Sequence, residues 1–120
     1  MKVLLVEDDP DIQLVARASL KRAGFNVAVT SNGPAALEQV RSDRPDVILL
    51  DWMMPDMDGP EVCRRLKDDP ETTDIPVIFL TARSQQSEIA RGLALGAAGY
   101  IVKPFDALAL GTQVREMLTR

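Results

Sequence analysis

The chain has 120 residues, is 46% hydrophobic and carries a net charge of −4, which fits one domain whose core needs neither disulfides nor metal. Its acidity argues against direct nucleic-acid binding, which needs clustered Lys and Arg, and its single Cys63 rules out an internal disulfide and suits a reducing cytosol. The absence of His removes every Ser-His or Cys-His nucleophile scheme, and no apolar run approaches ~18 residues, so a soluble cytoplasmic protein with no membrane partner is expected.

Short apolar runs alternate with helical patterns from end to end, the signature of βαβ units and a parallel sheet. Lys2 to Val6 reads as the first strand and ends on Glu7, Asp8 and Asp9. Asp9 is placed to cap a helix with Pro10 at its first position. That helix carries Ile12, Val15, Ala16 and Ala23 on one stripe and stops at Gly24. Asn26 to Thr30 is a weaker strand, as at a sheet edge. Gly33-Pro34 opens a second helix with Leu37 and Val40 inward, and Pro45 leads into the run Asp46 to Asp51.

That run is apolar until it stops on one carboxylate, Asp51, and Pro55, Asp58 and Gly59 then turn the chain into a loop. A buried parallel strand delivers a side chain to the carboxyl edge of a sheet in this way, and open α/β sheets bind ligands at that edge. Gly59-Pro60 starts a third helix with Val62, Cys63 and Leu66 inward, followed by a polar acidic loop from Asp68 to Asp74. Pro76 to Leu80 is a fourth strand ending on Thr81. Ser84 to Leu95 reads as a helix stopped by Gly96, and Tyr100 to Val102 as a short strand ending on Lys103-Pro104. Asp106 is read as the cap of a last helix carrying Leu110, Val114 and Leu118, inside which Gly111 costs roughly 1 kcal/mol against Ala.

Four apolar strands thus end on polar side chains: Glu7/Asp8, Asp51, Thr81 and Lys103. Taken singly, each is commonly a cap, a turn former or a surface charge. Together, in a parallel sheet, they share one edge. Two carboxylates 4 Å apart repel by roughly 4 kcal/mol at an effective dielectric of 20, so three acids need a compensating charge or raised pKa values. Lys103 supplies one positive charge and a divalent cation the rest. An all-oxygen, partly hydrated site suits Mg²⁺. A carboxylate beside Mg²⁺, an ammonium and a hydroxyl is a competent phosphoryl acceptor without a His base.

At this point the chain resembles, over its whole length, the receiver domain of bacterial two-component response regulators. The motifs are Leu5-Val6-Glu7-Asp8-Asp9, Leu49-Leu50-Asp51-Trp52-Met53-Met54-Pro55 with Asp58-Gly59, Leu80-Thr81-Ala82-Arg83, and Gly99-Tyr100-Ile101-Val102-Lys103-Pro104-Phe105. The resemblance implies a flavodoxin-like (βα)5 α/β fold with a five-stranded parallel sheet in order 2-1-3-4-5, spanning residues 1–120 as one receiver domain. It implies a phosphorelay in which a histidine kinase or His-phosphotransfer protein donates a phosphoryl group to Asp51. Asp8, Asp51 and the Met53 carbonyl would ligate Mg²⁺, with Glu7 acting mainly through water. Thr81 and Lys103 match the hydroxyl and ammonium that engage the phosphoryl group. The Lys103-Pro104 bond would be cis, and Tyr100 matches an aromatic switch whose ring moves inward as Thr81 turns; a Tyr with a buried ring and a wet hydroxyl is the plainer alternative. Positions matching Met53 and Arg83 tune the phosphoryl lifetime.

Two superficial patterns fail. Asp56-Met57-Asp58-Gly59 resembles an EF-hand loop, but the first ligand position falls on Met54 and the last on Arg65. Met53, Met54 and Met57 lack the Cys or His that would complete a soft-metal site. The chain departs from many transcriptional regulators of the family at Ile89, Ala98, Gly99, Leu108, Ala109 and Gln113, which cannot form their charged dimer contacts. A monomer, or a phosphorylation-dependent dimer through a more apolar face, is expected. The output is a contact with a downstream protein target, with no enzymatic turnover beyond self-phosphorylation and dephosphorylation. The alternatives are a receiver fragment of a larger regulator or hybrid kinase, or an aspartyl-phosphate-dependent phosphatase. Such phosphatases carry a second acid two residues after the nucleophile, where this chain has Met53.

Overall fold

The structure, a computed structural model, describes residues 1–82 and 86–119, with residue 86 described by its backbone alone. Five strands alternate with five helices: β1 (Lys2–Val6), α1 (Pro10–Arg22), β2 (Asn26–Thr30), α2 (Gly33–Ser42), β3 (Val47–Asp51), α3 (Gly59–Asp68), β4 (Val77–Thr81), α4 (Gln86–Ala94), β5 (Gly99–Val102) and α5 (Leu110–Leu118). All neighbouring strands pair in parallel, in the order β2-β1-β3-β4-β5, the expected topology. The apolar runs become strands because β3 and β4 are buried at every position, as a sheet covered on both faces requires.

Side-chain alternation divides the core in two. Leu4, Val6, Ile48, Leu50, Val77 and Phe79 face one way, against Ala36 and Val40 of α2 and Val62, Cys63 and Leu66 of α3. Val3, Leu5, Val47, Leu49, Ile78 and Leu80 face the other way, against Ala16 and Leu20 of α1 and Leu110 and Val114 of α5. The crossover from β1 through α1 runs to β2 on one side, and the crossover from β2 through α2 runs back past β1 to β3 on its other side. They open a crevice beyond the carboxyl ends of those strands, where such folds place their ligands.

Helix starts follow the sequence closely. Asp9 caps α1, accepting from the amides of Asp11 and Ile12, with Pro10 just inside. Asn32 and Asp58 cap α2 and α3 in the same way. Gly24 and Gly96, at φ 95° and 97°, end α1 and the segment after α4 in the left-handed conformation that favours glycine.

Several expectations are corrected or refined. Val15 is exposed, and α1 buries Ala16, Ser19 and Leu20 instead. β4 starts at Val77 and includes Thr81, and β5 starts at Gly99. Asp106 does not cap α5. Its carboxylate accepts from the Leu108 amide and its carbonyl from Ala109 and Leu110, closing a separate turn before α5 begins at Leu110. Gly111 serves helix packing: a Cβ there would lie 2.5 Å from Ala23 Cβ and 2.8 Å from the Ser19 carbonyl oxygen, so only glycine lets α5 approach α1 this closely. The expected helix start at Ser84 lies outside the described residues, as does Arg83.

Candidate phosphoacceptor and cation site

Glu7 continues the alternation of Val3 and Leu5, Asp51 that of Val47 and Leu49, and Lys103 follows Ile101 two residues on. All three side chains therefore head for one side of the sheet's carboxyl edge, and they meet there. Lys103 Nζ donates to Glu7 Oε2 at 2.8 Å and to Asp51 Oδ1 at 3.0 Å. The pairs are enclosed: Glu7 is 1% exposed, Asp51 5%, and the Lys103 side chain 16%. Asp8 is exposed at the mouth, and one carboxylate oxygen from each of Glu7, Asp8 and Asp51 lies within 4.8 Å of the other two. Thr81, buried at the end of β4, and Met53, exposed beyond β3, line the same cleft with Ile12, Trp52 and Ala82.

The backbone around the cleft is tied down. Trp52 N–H donates to the Leu80 carbonyl at 2.8 Å, and Lys103 N–H to the Thr81 carbonyl at 2.7 Å, so the ladder runs past the strand ends. The Lys103–Pro104 bond is cis, as the resemblance implies. Met53 N–H reaches Asp51 Oδ1 at 3.4 Å. Gln13 was missed by sequence reasoning. Its Nε2 donates to the Glu7 carbonyl at 2.5 Å and to Ser31 Oγ at 3.2 Å, fixing the residue that carries the buried acid. Only its place on the first turns of α1, close after the acidic run, hinted at this.

Three carboxylates against one ammonium leave the cleft short of positive charge. Burial, with the nearby Asp51 charge, pushes the Glu7 carboxyl up to about 7 despite its bond from Lys103. Burial likewise raises Asp51, with Lys103 opposing. Burial works against the charge on Lys103, but its bonds to Glu7 and Asp51 more than offset this and hold its pKa above the ordinary value. The donor set is entirely oxygen, which fits a hard divalent cation and not a soft one. Asp9 stands apart from it as the cap of α1.

Tyr100 is 37% exposed. It borders a small cavity under α4 with Thr81, Trp52, Phe79 and Gly92. The Trp52 ring packs edge-on to Phe79 at 4.8 Å between centroids, with the Arg91 guanidinium 6.0 Å from its centroid.

The sheet order and the acidic crevice together define a doubly wound α/β domain with a cation-competent cluster at its switch point. The response regulator receiver domain model matches residues 3–115, and the chain belongs to that family. It is 43% identical over 119 residues, 99% of its own length and 52% of the other, to the phosphate regulon transcriptional regulatory protein PhoB of Rhizobium meliloti. It is 42% identical over 120 residues to the response regulator MprA of Mycobacterium leprae, covering all of this chain and 52% of that protein. The chain thus spans about half the length of these curated relatives. Among solved structures, a putative response regulator from Chloroflexus aurantiacus superposes with a TM-score of 0.92 at 32% identity, covering 99% of this chain and 98% of that one. The chemotaxis protein CheY4 of Vibrio cholerae does so with 0.90 at 31%, covering 97% of each. Among the described residues no helix is long and apolar enough to cross a membrane.

Proposed function

We propose that the chain is a cytoplasmic phosphoacceptor in a phosphorelay, taking a phosphoryl group from a histidine kinase or His-phosphotransfer protein onto Asp51. The observation that carries this is the Lys103 ammonium held between Glu7 and Asp51 at 2.8 and 3.0 Å, with Asp8 at the open side. An Asp51 carboxylate oxygen attacks phosphorus, the P–N bond of the donor phosphohistidine breaks, and the electron pair returns to the donor imidazole. Lys103 and Thr81 balance charge on the phosphoryl oxygens as the group moves. Asp8, Asp51 and the Met53 carbonyl, with Glu7 behind them, would hold Mg²⁺, which would supply further neutralisation of that charge.

The phosphorylated form then acts by changing a protein-binding face around Tyr100, which borders the same small cavity as Thr81 and repacks as Thr81 turns. That requires contacts that differ between two states. The target is a protein, and contact with nucleic acid is not part of this domain's role. The chain is not an enzyme with a small-molecule substrate. Met53, with a thioether where aspartyl-phosphate phosphatases carry a second acid, supports this over the phosphatase reading. Incubation with acetyl phosphate and Mg²⁺ followed by intact mass tests the proposal. One added phosphoryl group, absent in Asp51→Asn, supports it, whereas multiple turnover of a small phosphate ester supports the phosphatase.

A further inference from the structure

Gly59, the first residue of α3, packs directly on the backbone of the phosphoacceptor. A Cβ at this position would lie 2.3 Å from the Asp51 carbonyl oxygen, 3.0 Å from Trp52 Cα and 3.1 Å from the Asp51 carbonyl carbon. All three are backbone atoms, so none can rotate aside as a flexible side chain would. No left-handed φ accompanies this glycine; the demand is for space alone. The Gly59 N–H also donates to the Trp52 carbonyl at 3.0 Å, joining the two ends of the loop between β3 and α3. From the other side, Trp52 N–H is held by the Leu80 carbonyl of β4 at 2.8 Å. The Asp51–Trp52 peptide is therefore gripped between β4 and the start of α3, and that peptide carries both the acceptor carboxylate and, one residue on, the Met53 carbonyl.

We infer that Gly59 is a positioning residue for the cation site, its missing side chain allowing α3 to set the Asp51–Met53 backbone at the spacing a divalent cation needs. This rests on the phosphoacceptor reading and adds to it a residue that never touches the cation. Contacts of this kind, behind the ligands, typically change metal affinity by 10–100-fold.

The experiment is a titration of the protein with MgCl₂ followed by amide NMR, run on the wild type, Gly59→Ala and Gly111→Ala, with thermal unfolding of each. Gly111→Ala is the control for overpacking, because its new methyl meets Ala23 and Ser19 between α1 and α5 and no residue of the cleft. The inference predicts that both variants lose stability, that Gly59→Ala binds Mg²⁺ at least roughly tenfold more weakly, and that Gly111→Ala binds it as the wild type does. Equal affinity in Gly59→Ala and the wild type overturns the inference and leaves the phosphoacceptor reading standing. No Mg²⁺ binding by the wild type overturns both. Should Gly59→Ala fail to fold, the wild-type Gly59 amide decides: a shift that saturates together with those of Asp51 and Met53 supports the inference, and an unmoved Gly59 resonance overturns it.

Discussion

Lys103 neutralises one of the two buried acids it touches, and the consequences are measurable at single residues. With the cation absent, Glu7 has a folded pKa near 7 against about 4.5 for an ordinary Glu. The folded state then binds more protons than the unfolded state between those values. The stability contributed by protonated Glu7 is complete below about pH 4.5 and is lost as pH rises through about 7. Chemical denaturation of the cation-free protein should therefore show stability falling from pH 5 to pH 8, with the fall reduced when saturating Mg²⁺ is present. Asp51→Asn removes one of the crowded charges without changing shape, so the cation-free variant should unfold at higher denaturant than the wild type. Lys103→Ala should do the opposite, costing roughly 1–3 kcal/mol at pH 8 by leaving buried carboxylates unpaired. The cost should shrink at pH 5, where Glu7 accepts a proton.

At the scale of the element, Asp9 separates a structural acid from the ligand set. It sits in the same acidic run as Glu7 and Asp8, yet its carboxylate is committed to the amides of Asp11 and Ile12. Asp9→Ala should cost about 1 kcal/mol in urea unfolding and leave Mg²⁺ affinity unchanged; a lost affinity would move Asp9 into the site. This helix start was legible in the sequence because capping is local: an acid, a proline and a periodic run suffice. Strands β1 and β2 were legible to the residue for a similar reason, being short apolar runs bounded by polar ones. The start of α5 was not legible. Asp106 has the chemistry of a cap and uses it on a turn, and nothing local distinguishes the two. Gly111 looked like a weakness in α5, because its purpose lies in α1, which is close in space and far in sequence. Val15 fits the apolar stripe by spacing, but the core beneath that side of α1 is taken by Ala16 and Leu20. The Gln13 bond to the Glu7 carbonyl likewise depends on tertiary geometry that no motif encodes.

For the whole molecule, the cleft couples ligand to fold. An ion that binds only the folded state at a free concentration a hundredfold above its dissociation constant stabilises by about 2.7 kcal/mol. Added Mg²⁺ should raise the melting temperature of the wild type accordingly and that of Asp51→Asn much less. Leu93 of α4, Tyr100 of β5 and Leu108 just before α5 are exposed, and Ala98 and Gln113 carry no charge for the pairing contacts of many transcriptional regulators of the family. Sedimentation with and without beryllofluoride checks whether two copies pair. A mass that doubles with beryllofluoride supports pairing, and an unchanged mass argues against it.

The claim on which all of this turns is that Asp51, and no other acid in the cleft, accepts the phosphoryl group. Protein treated with acetyl phosphate and Mg²⁺ can be reduced with borohydride, which converts an acyl phosphate to an alcohol, and then mapped by peptide mass. The account predicts homoserine at position 51 with Glu7, Asp8 and Asp9 intact. Modification at one of those acids, or none anywhere, would contradict it.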